Sequence, residues 1–215
     1  MSNIRMTCDQ AIESAKRIVE FRNSLPKDRQ PVIEVGVSTA FGCTLQGAVD
    51  EDFALSMALR CAEAGADSVG LSDSVGYANP AQVKRMFKRL NAELGDKAGG
   101  AHLHNTRGQG LANVVAALDA GVTTFDASQG GIGGCPYAPG ATGNIVTEDL
   151  VFLLESMGLD TGIDMDKLLA ARRFLSEGLP GEPVYGFVPD AGLPKTFRPA
   201  KAPSALGEGG ERVVS

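Results

Sequence analysis

The sequence predicts an α/β fold with a parallel sheet, and three observations support this prediction. β-rich runs and amphipathic helical segments alternate along the chain, which is the pattern of βαβ units. The chain has 215 residues, of which 43% are hydrophobic and 21% charged, so it can bury a substantial core as one domain. Polar residues interrupt the apolar strand runs at Glu34, His102, His104 and Asp126. Such residues are costly in an open, doubly buried sheet, whereas the mouth of a (β/α) barrel gathers polar groups at the carboxyl ends of its strands.

The first half of the chain contains two predicted strands and three predicted helices. Thr7 is predicted to cap the first helix. Asn79 and Pro80 start the third helix, because an N-cap residue followed by proline at the first helical position is a helix-start signal. In chain order the elements are a helix at 8–24 with Ile12, Ala15, Ile18 and Val19 on one face, a strand at 31–38, a helix at 52–64 that stops at Gly65, a strand at 68–72 that ends at Asp73, and a helix from Asn79–Pro80 to about 94.

The second half adds two strands and three helices. The strands are predicted at 100–104 and 122–127, and the helices at 111–120, 147–157 and 165–175. Thr147 is predicted to cap the helix after the glycine-rich loop, with Glu148 and Asp149 in its first turn, where the helix dipole favours anions. We therefore expect a domain over residues 1–178. The tail over 179–215 is rich in Pro and Gly and is expected to be largely irregular. No regular structure is predicted there except at 195–198.

Net charge, the length of apolar runs and cysteine usage argue against a nucleic-acid partner, a membrane partner and secretion. The net charge of −6 gives no electrostatic support for a nucleic-acid partner. No apolar run is long enough to span a bilayer, and the first residues lack the apolar core of a signal peptide, so no membrane partner is expected. The cysteines, Cys8, Cys43, Cys61 and Cys135, form no CxxC pair. Reduced thiols in a cytoplasm are therefore the expectation.

The chain has two histidines, His102 and His104, and they stand one residue apart on a predicted strand. Residues i and i+2 of a strand point to the same face, so both imidazoles are expected to face one way. Two converging neutral imidazoles are half of a divalent-metal site. Spacing alone equally allows two strand histidines that merely hydrogen-bond to their neighbours, and both interpretations stay open at this point.

Two segments then carry a resemblance to a known family. Residues 102–113 begin with the paired histidines, and residues 126–144 contain a Gly-Gly-Cys-Pro-Tyr-Ala loop around Cys135 and end at Asn144. Together with the strand ends near 38–43 and 71–76, they resemble 3-hydroxy-3-methylglutaryl-CoA lyases, which are metallolyases built on a TIM barrel. The resemblance runs over about 3–178. Related synthases and aldolases share the paired histidines but lack the cysteine loop.

The resemblance implies a metal, a substrate class and a reaction. A divalent cation, Mg²⁺ or Mn²⁺, is expected on His102, His104 and Asn144, since nitrogen and oxygen donors suit such ions. The expected substrate is an acyl-CoA with a tertiary hydroxyl. Removal of the hydroxyl proton leads to retro-Claisen cleavage, which yields a keto acid and the enolate of acetyl-CoA, with the cation stabilising the developing oxyanion.

Three further residues are assigned by the resemblance, each with a structural alternative, and a fourth residue, Arg107, is assigned although it departs from the family pattern. Cys135 matches a catalytic-loop cysteine that handles the proton at the acetyl-CoA carbon, although a small buried hydrophobe is the alternative. Asp73 matches an acid near the reacting hydroxyl, or it caps a turn. Glu148 matches a position close to the substrate, or it serves the helix N-terminus. Arg107 is expected to meet a carboxylate or a CoA phosphate.

Two features depart from the family pattern. No Arg-Asp-Gly segment, which in the family supplies a fourth metal ligand and a cation facing the substrate, precedes the first strand. Only four strands are predicted where a closed barrel needs eight. We therefore expect an incomplete TIM barrel that retains roughly strands five to eight, with exposed sheet edges and an apolar inner face. Arg107 replaces a tyrosine of better-known lyases, which leaves the acyl group open between methylglutaryl and a longer branched relative.

Three hypotheses follow from these departures. The chain is a lyase whose N-terminal half is missing or supplied elsewhere, or a half-barrel that pairs with a second copy to close eight strands, or an inactive fragment kept as an assembly module. The second hypothesis predicts a homo-oligomer. A related acyl-CoA-dependent metallolyase or aldolase is a further alternative for the chemistry.

Overall fold

The computed structural model describes residues 5–134, 140 and 142–200. Helices and strands alternate through most of this range, as the sequence predicts. The elements are α1 (Cys8–Ser24), β1 (Glu34–Val37), α2 (Glu51–Glu63), β2 (Ser68–Asp73), α3 (Pro80–Leu94), β3 (Ala98–Leu103), α4 (Gly110–Leu118), β4 (Phe125–Asp126), α5 (Thr147–Ser156), α6 (Met165–Gly178) and α7 (Phe187–Ala191). Within the described residues, no helix is both long and apolar enough to cross a membrane.

In the part of the chain that the structure describes, four strands form one sheet in the order β1-β2-β3-β4, and every neighbouring pair is parallel. The predicted parallel α/β architecture is therefore confirmed, with half of the eight strands of a closed barrel. Helices α2, α3 and α4 pack side by side against one face of the sheet. Val69 and Leu71 of β2 are fully buried on that face and share a core with Phe87 and Leu90 of α3. Each such side chain contributes roughly 1.5–3 kcal/mol by leaving water.

Local capping signals explain where the early helices begin. The Thr7 side chain accepts from the N–H of Gln10, and the Gln10 side chain accepts from the N–H of Thr7, so α1 starts with a capping box. Asn79 caps α3, with Pro80 as its first residue. The prediction for α5 is wrong by one residue: Val146 is the N-cap, and Thr147 is the first helical residue. The reason is a parallel bridge between Ser128 and Val146, which keeps Val146 extended.

The inner face of the sheet, opposite the helices, is small and polar. Strand partners in register project to the same side, so this face carries Glu34, Gly36, Ser68, Gly70, Ser72, His102 and Asp126. The expectation of an apolar inner face is therefore wrong. Large apolar residues occupy the alternate positions, where the helices cover them. Gly70 also lacks room for a side chain, since a Cβ there would collide with the carbonyl oxygen of Gly100.

Residues 179–200, the part of the tail that the structure describes, are mostly irregular but contain one short helix and contact α5. Residues 187–191 form α7, and the two N–H groups at its start donate to the buried carboxylate of Asp149 on α5 at 3.0 and 2.8 Å. The backbone N–H of Ala200 donates to Glu155 of the same helix at 2.7 Å. Next to these contacts, a second, smaller hydrophobic core is formed by Val151, Met165 and Val188. Asp149 and Glu155 of α5 thus bind the backbone of the tail, and no local sequence pattern predicts these contacts.

Candidate active site

His102 lies near the end of strand β3 and His104 directly follows the strand, and their rings converge. The Nε2 atoms of His102 and His104 are 3.2 Å apart, and the ring centroids are 5.2 Å apart. The His102 side chain is 33% exposed, whereas His104 is buried. The common face that the strand period predicts is thus present at the carboxyl end of the sheet, where a parallel α/β fold places its ligands.

Asn144 reaches the histidines from the far side of the glycine-rich loop. It forms an antiparallel bridge with His104, and the N–H of Ile145 donates to the carbonyl of Leu103 at 3.0 Å. Its side-chain Nδ2 donates to the carbonyl of Ile132 at 3.1 Å. Its Oδ1 is buried and accepts no hydrogen bond from the described residues. The three residues of the predicted ligand set therefore lie together.

The spacing of the two histidine nitrogens suits a divalent cation. Two nitrogens at ~2.1 Å from one ion lie about 3.0 Å apart in octahedral geometry and about 3.4 Å apart in tetrahedral geometry. The observed 3.2 Å between His102 and His104 falls between these values. The unpartnered Oδ1 of Asn144 is a donor that such an ion would satisfy. Among the described residues, no group of three or more His, Cys, Asp and Glu side chains is placed to hold a metal ion.

The buried histidine is neutral in this arrangement. Burial, together with the neighbouring His102, lowers the pKa of His104 from 6.5 to about 4. Nδ1 of His104 has no hydrogen-bond partner among the described residues. A neutral imidazole is the form that binds a metal, so the site needs no proton release from His104 at neutral pH.

Asp126 contacts the site, and sequence reasoning did not assign it there. Its Oδ2 lies 3.2 Å from Nδ1 of His102, on the side of the ring away from His104. The signal was present, since Asp126 is one of the polar residues that interrupt the strand runs. The missing information was the register, which makes Asp126 the strand partner of His102.

The carboxylate of Asp73 turns into its own loop. It accepts from the N–H of Tyr77 at 2.8 Å and from that of Ala78 at 3.0 Å, and the residue is completely buried. Burial raises the pKa of Asp73 despite these hydrogen bonds. The turn-capping alternative is therefore the role that the structure displays. The role predicted for Asp73 at the substrate hydroxyl stays a prediction.

Arg107 ties the turn after β2 to the turn after β3. Its guanidinium carbon lies 4.6 Å from the centroid of the Tyr77 ring, and Nη1 donates to the carbonyls of Val75 and Gly76 at 3.0 and 3.3 Å. The residue is exposed at the end of the sheet that holds the histidines. It is thus a cation oriented by the Tyr77 ring and two carbonyls, and its role as an anion-binding residue stays a prediction.

Glu148 does not reach the surface, and its assignment as a substrate-binding residue stays a prediction. The residue is completely buried, and its carboxylate accepts from Arg172 at 2.9 Å and from the N–H of Gly130 at 3.1 Å. Arg172 also donates to the carbonyl of Tyr185 at 2.8 Å. Glu148 therefore anchors the start of the glycine-rich loop to α6 and the tail. Cys135 lies outside the described residues.

Comparison with known proteins places this geometry in a family. Residues 1–175 match the family model described as HMGL-like, which covers most of the chain. The chain belongs to the HMGL-like family. Its relatives include hydroxymethylglutaryl-CoA lyase YngG of Bacillus subtilis, with 42% identity over 148 residues, or 69% of this chain and 49% of that protein. They also include the (R)-citramalyl-CoA lyase of Chloroflexus aurantiacus, with 40% identity over 181 residues, or 83% of this chain and 57% of that protein.

A solved structure of the family has the same fold. The HMG-CoA lyase of Acinetobacter baumannii, in complex with coenzyme A and 3-methylmalate, superimposes with a TM-score of 0.81 and 38% identity over 92% of this chain and 63% of that one. The likeness confirms the predicted TIM-barrel type of this HMGL-like chain. The chain spans about half the length of the curated relatives it matches.

Proposed function

We propose that this HMGL-like chain carries the metal-binding half of a carbon–carbon lyase that cleaves 3-hydroxy-3-methylglutaryl-CoA or a related 3-hydroxyacyl-CoA with a tertiary hydroxyl. The observation that carries the proposal is the convergence of the two Nε2 atoms, 3.2 Å apart. Asn144 is the bridge partner of His104, and its buried Oδ1 has no partner among the described residues. Citramalyl-CoA is the second candidate substrate, because the relative that acts on it is 40% identical over 83% of the chain.

In the proposed site, His102, His104 and Asn144 hold Mg²⁺ or Mn²⁺ through two neutral nitrogens and one amide oxygen. The cation, when bound, supplies Lewis-acid stabilisation of the oxyanion that develops on the substrate. His104 serves as a donor without titrating near neutral pH, because its pKa is about 4. The amide of Asn144 is held in place by its Nδ2 hydrogen bond to Ile132.

The chemistry proposed for the other residues is a retro-Claisen cleavage. The tertiary hydroxyl loses its proton to a base, the carbon–carbon bond breaks, and its electron pair passes to the acetyl-CoA fragment as an enolate. The candidate bases are His102 and Asp73. When His102 holds the cation, its Nε2 lone pair is engaged and cannot also accept the proton. The base role is therefore proposed for Asp73, whose carboxylate accepts hydrogen bonds from its own turn. Cys135 is proposed to return a proton to the enolate carbon, which completes acetyl-CoA and leaves a keto acid.

Substrate binding is proposed to involve Arg107. Its planar cation stacks on Tyr77 and is oriented by two carbonyls, so it would meet a carboxylate or a CoA phosphate without further ordering. Glu148 and Asp73 contribute by shaping the loops around the site. A cytoplasmic location is part of the proposal and rests on the cysteine usage.

Activity assays on the purified chain test this proposal. The chain, at several concentrations, is incubated with Mn²⁺ and either 3-hydroxy-3-methylglutaryl-CoA or citramalyl-CoA, and acetyl-CoA, acetoacetate and pyruvate are measured. Acetyl-CoA release that EDTA abolishes supports a metallolyase, and the accompanying keto acid identifies the substrate. Turnover that rises steeply with chain concentration supports self-pairing. A folded chain that binds Mn²⁺ but releases no acetyl-CoA at any concentration contradicts lyase activity of this chain by itself, which both the assembly-module hypothesis and a separately supplied N-terminal half predict.

A further inference from the structure

We propose that Asp126 is a positioning residue of the metal site. Its carboxylate accepts the Nδ1–H of His102 and so presents Nε2 of that ring as a lone pair beside His104. The inference rests on the proposed function only in taking the three residues as a cation site. It does not depend on which acyl-CoA is cleaved.

The sheet itself builds this contact. Asp126 and His102 are Cα partners in the parallel pairing of β3 and β4. Strand partners in register project to the same face, so the two side chains meet on the inner face of the sheet. The observed distance of 3.2 Å between Oδ2 and Nδ1 follows from backbone register. Moving Asp126 by one position would place its carboxylate on the opposite face.

The contact selects one tautomer of His102. A neutral imidazole has one N–H donor and one acceptor nitrogen, and a carboxylate accepts only from the donor. Asp126 therefore places the proton on Nδ1 and leaves Nε2 free to donate its lone pair. Without the carboxylate, both tautomers would be populated, and the ring could also rotate away from His104. Loss of such a carboxylate partner typically lowers metal affinity by about 10- to 100-fold.

Asp126 has two other possible roles, and each predicts a different response to mutation. As a direct ligand it would act through its negative charge, and an amide would replace it poorly. As an ordinary surface charge, with 65% of its side chain exposed, it would act through long-range electrostatics. Glu34 offers a matched control for this last role, because it is an exposed carboxylate on the same inner face, at the β1 edge.

Two measurements on the full chain test the proposal. The first is Mn²⁺ affinity by calorimetry for the unmodified chain, Asp126→Ala, Asp126→Asn and Glu34→Ala, with circular dichroism to verify folding. We expect Asp126→Ala to weaken binding by about 10- to 100-fold. Asp126→Asn, whose Oδ1 still accepts from Nδ1–H, should stay within a few-fold of the unmodified chain, and Glu34→Ala should match it.

The second measurement is the ¹⁵N NMR spectrum of the histidine rings in the metal-free chain, in which the tautomers are distinguishable. We expect His102 as the Nδ1–H tautomer and a mixture in Asp126→Ala. Unchanged affinity and tautomer in Asp126→Ala would overturn the proposal. Equal losses in Asp126→Asn and Asp126→Ala would make Asp126 a ligand, and an equal loss in Glu34→Ala would reduce its effect to net charge. If the unmodified chain binds no Mn²⁺, the cation site itself fails, while the tautomer still reports on Asp126.

Discussion

Glu148 of α5 and Arg172 of α6 form an ion pair at 2.9 Å, in which the glutamate is completely buried and the arginine side chain is 15% exposed. The pair joins three parts of the chain, because Glu148 also accepts from Gly130 and Arg172 also donates to the carbonyl of Tyr185. The glycine-rich loop, α6 and the tail thus meet at one pair of charges.

Removing one partner of this pair should be strongly destabilising. We expect Arg172→Ala to lower the free energy of unfolding by about 3 kcal/mol, because it leaves the Glu148 carboxylate buried without its cation. Urea unfolding followed by circular dichroism measures the change. Lys167→Ala is the matched control on the same helix, since its ion pair with Asp164 is exposed and should contribute less than about 0.5 kcal/mol. Equal small effects for both variants would show that the pair is dispensable.

A side chain at position 130 is predicted to destabilise the fold for two separate reasons. The φ of Gly130 is +66°, and a Cβ would lie 2.8 Å from Leu175 and 3.1 Å from Val184. Gly130→Ala should therefore cost about 1–2 kcal/mol for the left-handed backbone and a further ~1–3 kcal/mol for overpacking. Gly158→Ala isolates the first cost, because Gly158 has φ +82° and open space around its Cβ position. Thermal or urea unfolding of both variants checks this, and equal losses would exclude overpacking at Gly130.

The stability of the metal-free chain should fall on mild acidification because of His104. Its pKa is about 4 in the folded chain and near 6.5 when unfolded, so below pH 6.5 the unfolded chain binds a proton that the folded chain does not. The stability of the folded chain is not reduced by this effect above pH 6.5. As the pH falls toward 4, the effect lowers the free energy of unfolding progressively, by up to about 3 kcal/mol. Urea unfolding in EDTA at pH 7.5, 6, 5 and 4 measures it. His104→Gln has no such proton to bind and should show a shallower pH dependence, whereas identical profiles would contradict the shift.

Arg107 should govern the binding of one anionic part of the substrate. We expect Arg107→Ala to weaken binding of either coenzyme A or 3-hydroxy-3-methylglutarate by about tenfold, the loss expected for one charge-assisted contact. Calorimetry with each compound separates a phosphate contact from a carboxylate contact. Arg85→Ala is the control, because Arg85 pairs with Glu51 on the exposed helical face. Unchanged binding of both compounds would leave Arg107 as a residue that only joins the two turns.

Much of the fold could be predicted because its signals are local. The Thr7–Gln10 capping box and the Asn79–Pro80 start each act within four residues, and the structure has both helices where these signals place them. The period of a strand likewise places His102 and His104 on one face. Strand β4 was predicted at 122–127 but covers only Phe125–Asp126, since its pairing with β3 is limited to two residue pairs. That pairing depends on a partner more than 20 residues away.

In the candidate site, too, some features follow from the local sequence and others depend on tertiary contacts. The sequence by itself determined the residue types and the direction of the two histidines, because strand geometry repeats every two residues. Only the tertiary structure decided that Asp126 meets His102, that Glu148 is paired with Arg172 and that the inner face is polar. These contacts join positions 24 or more residues apart, so they depend on sheet register and helix packing, which local patterns do not encode.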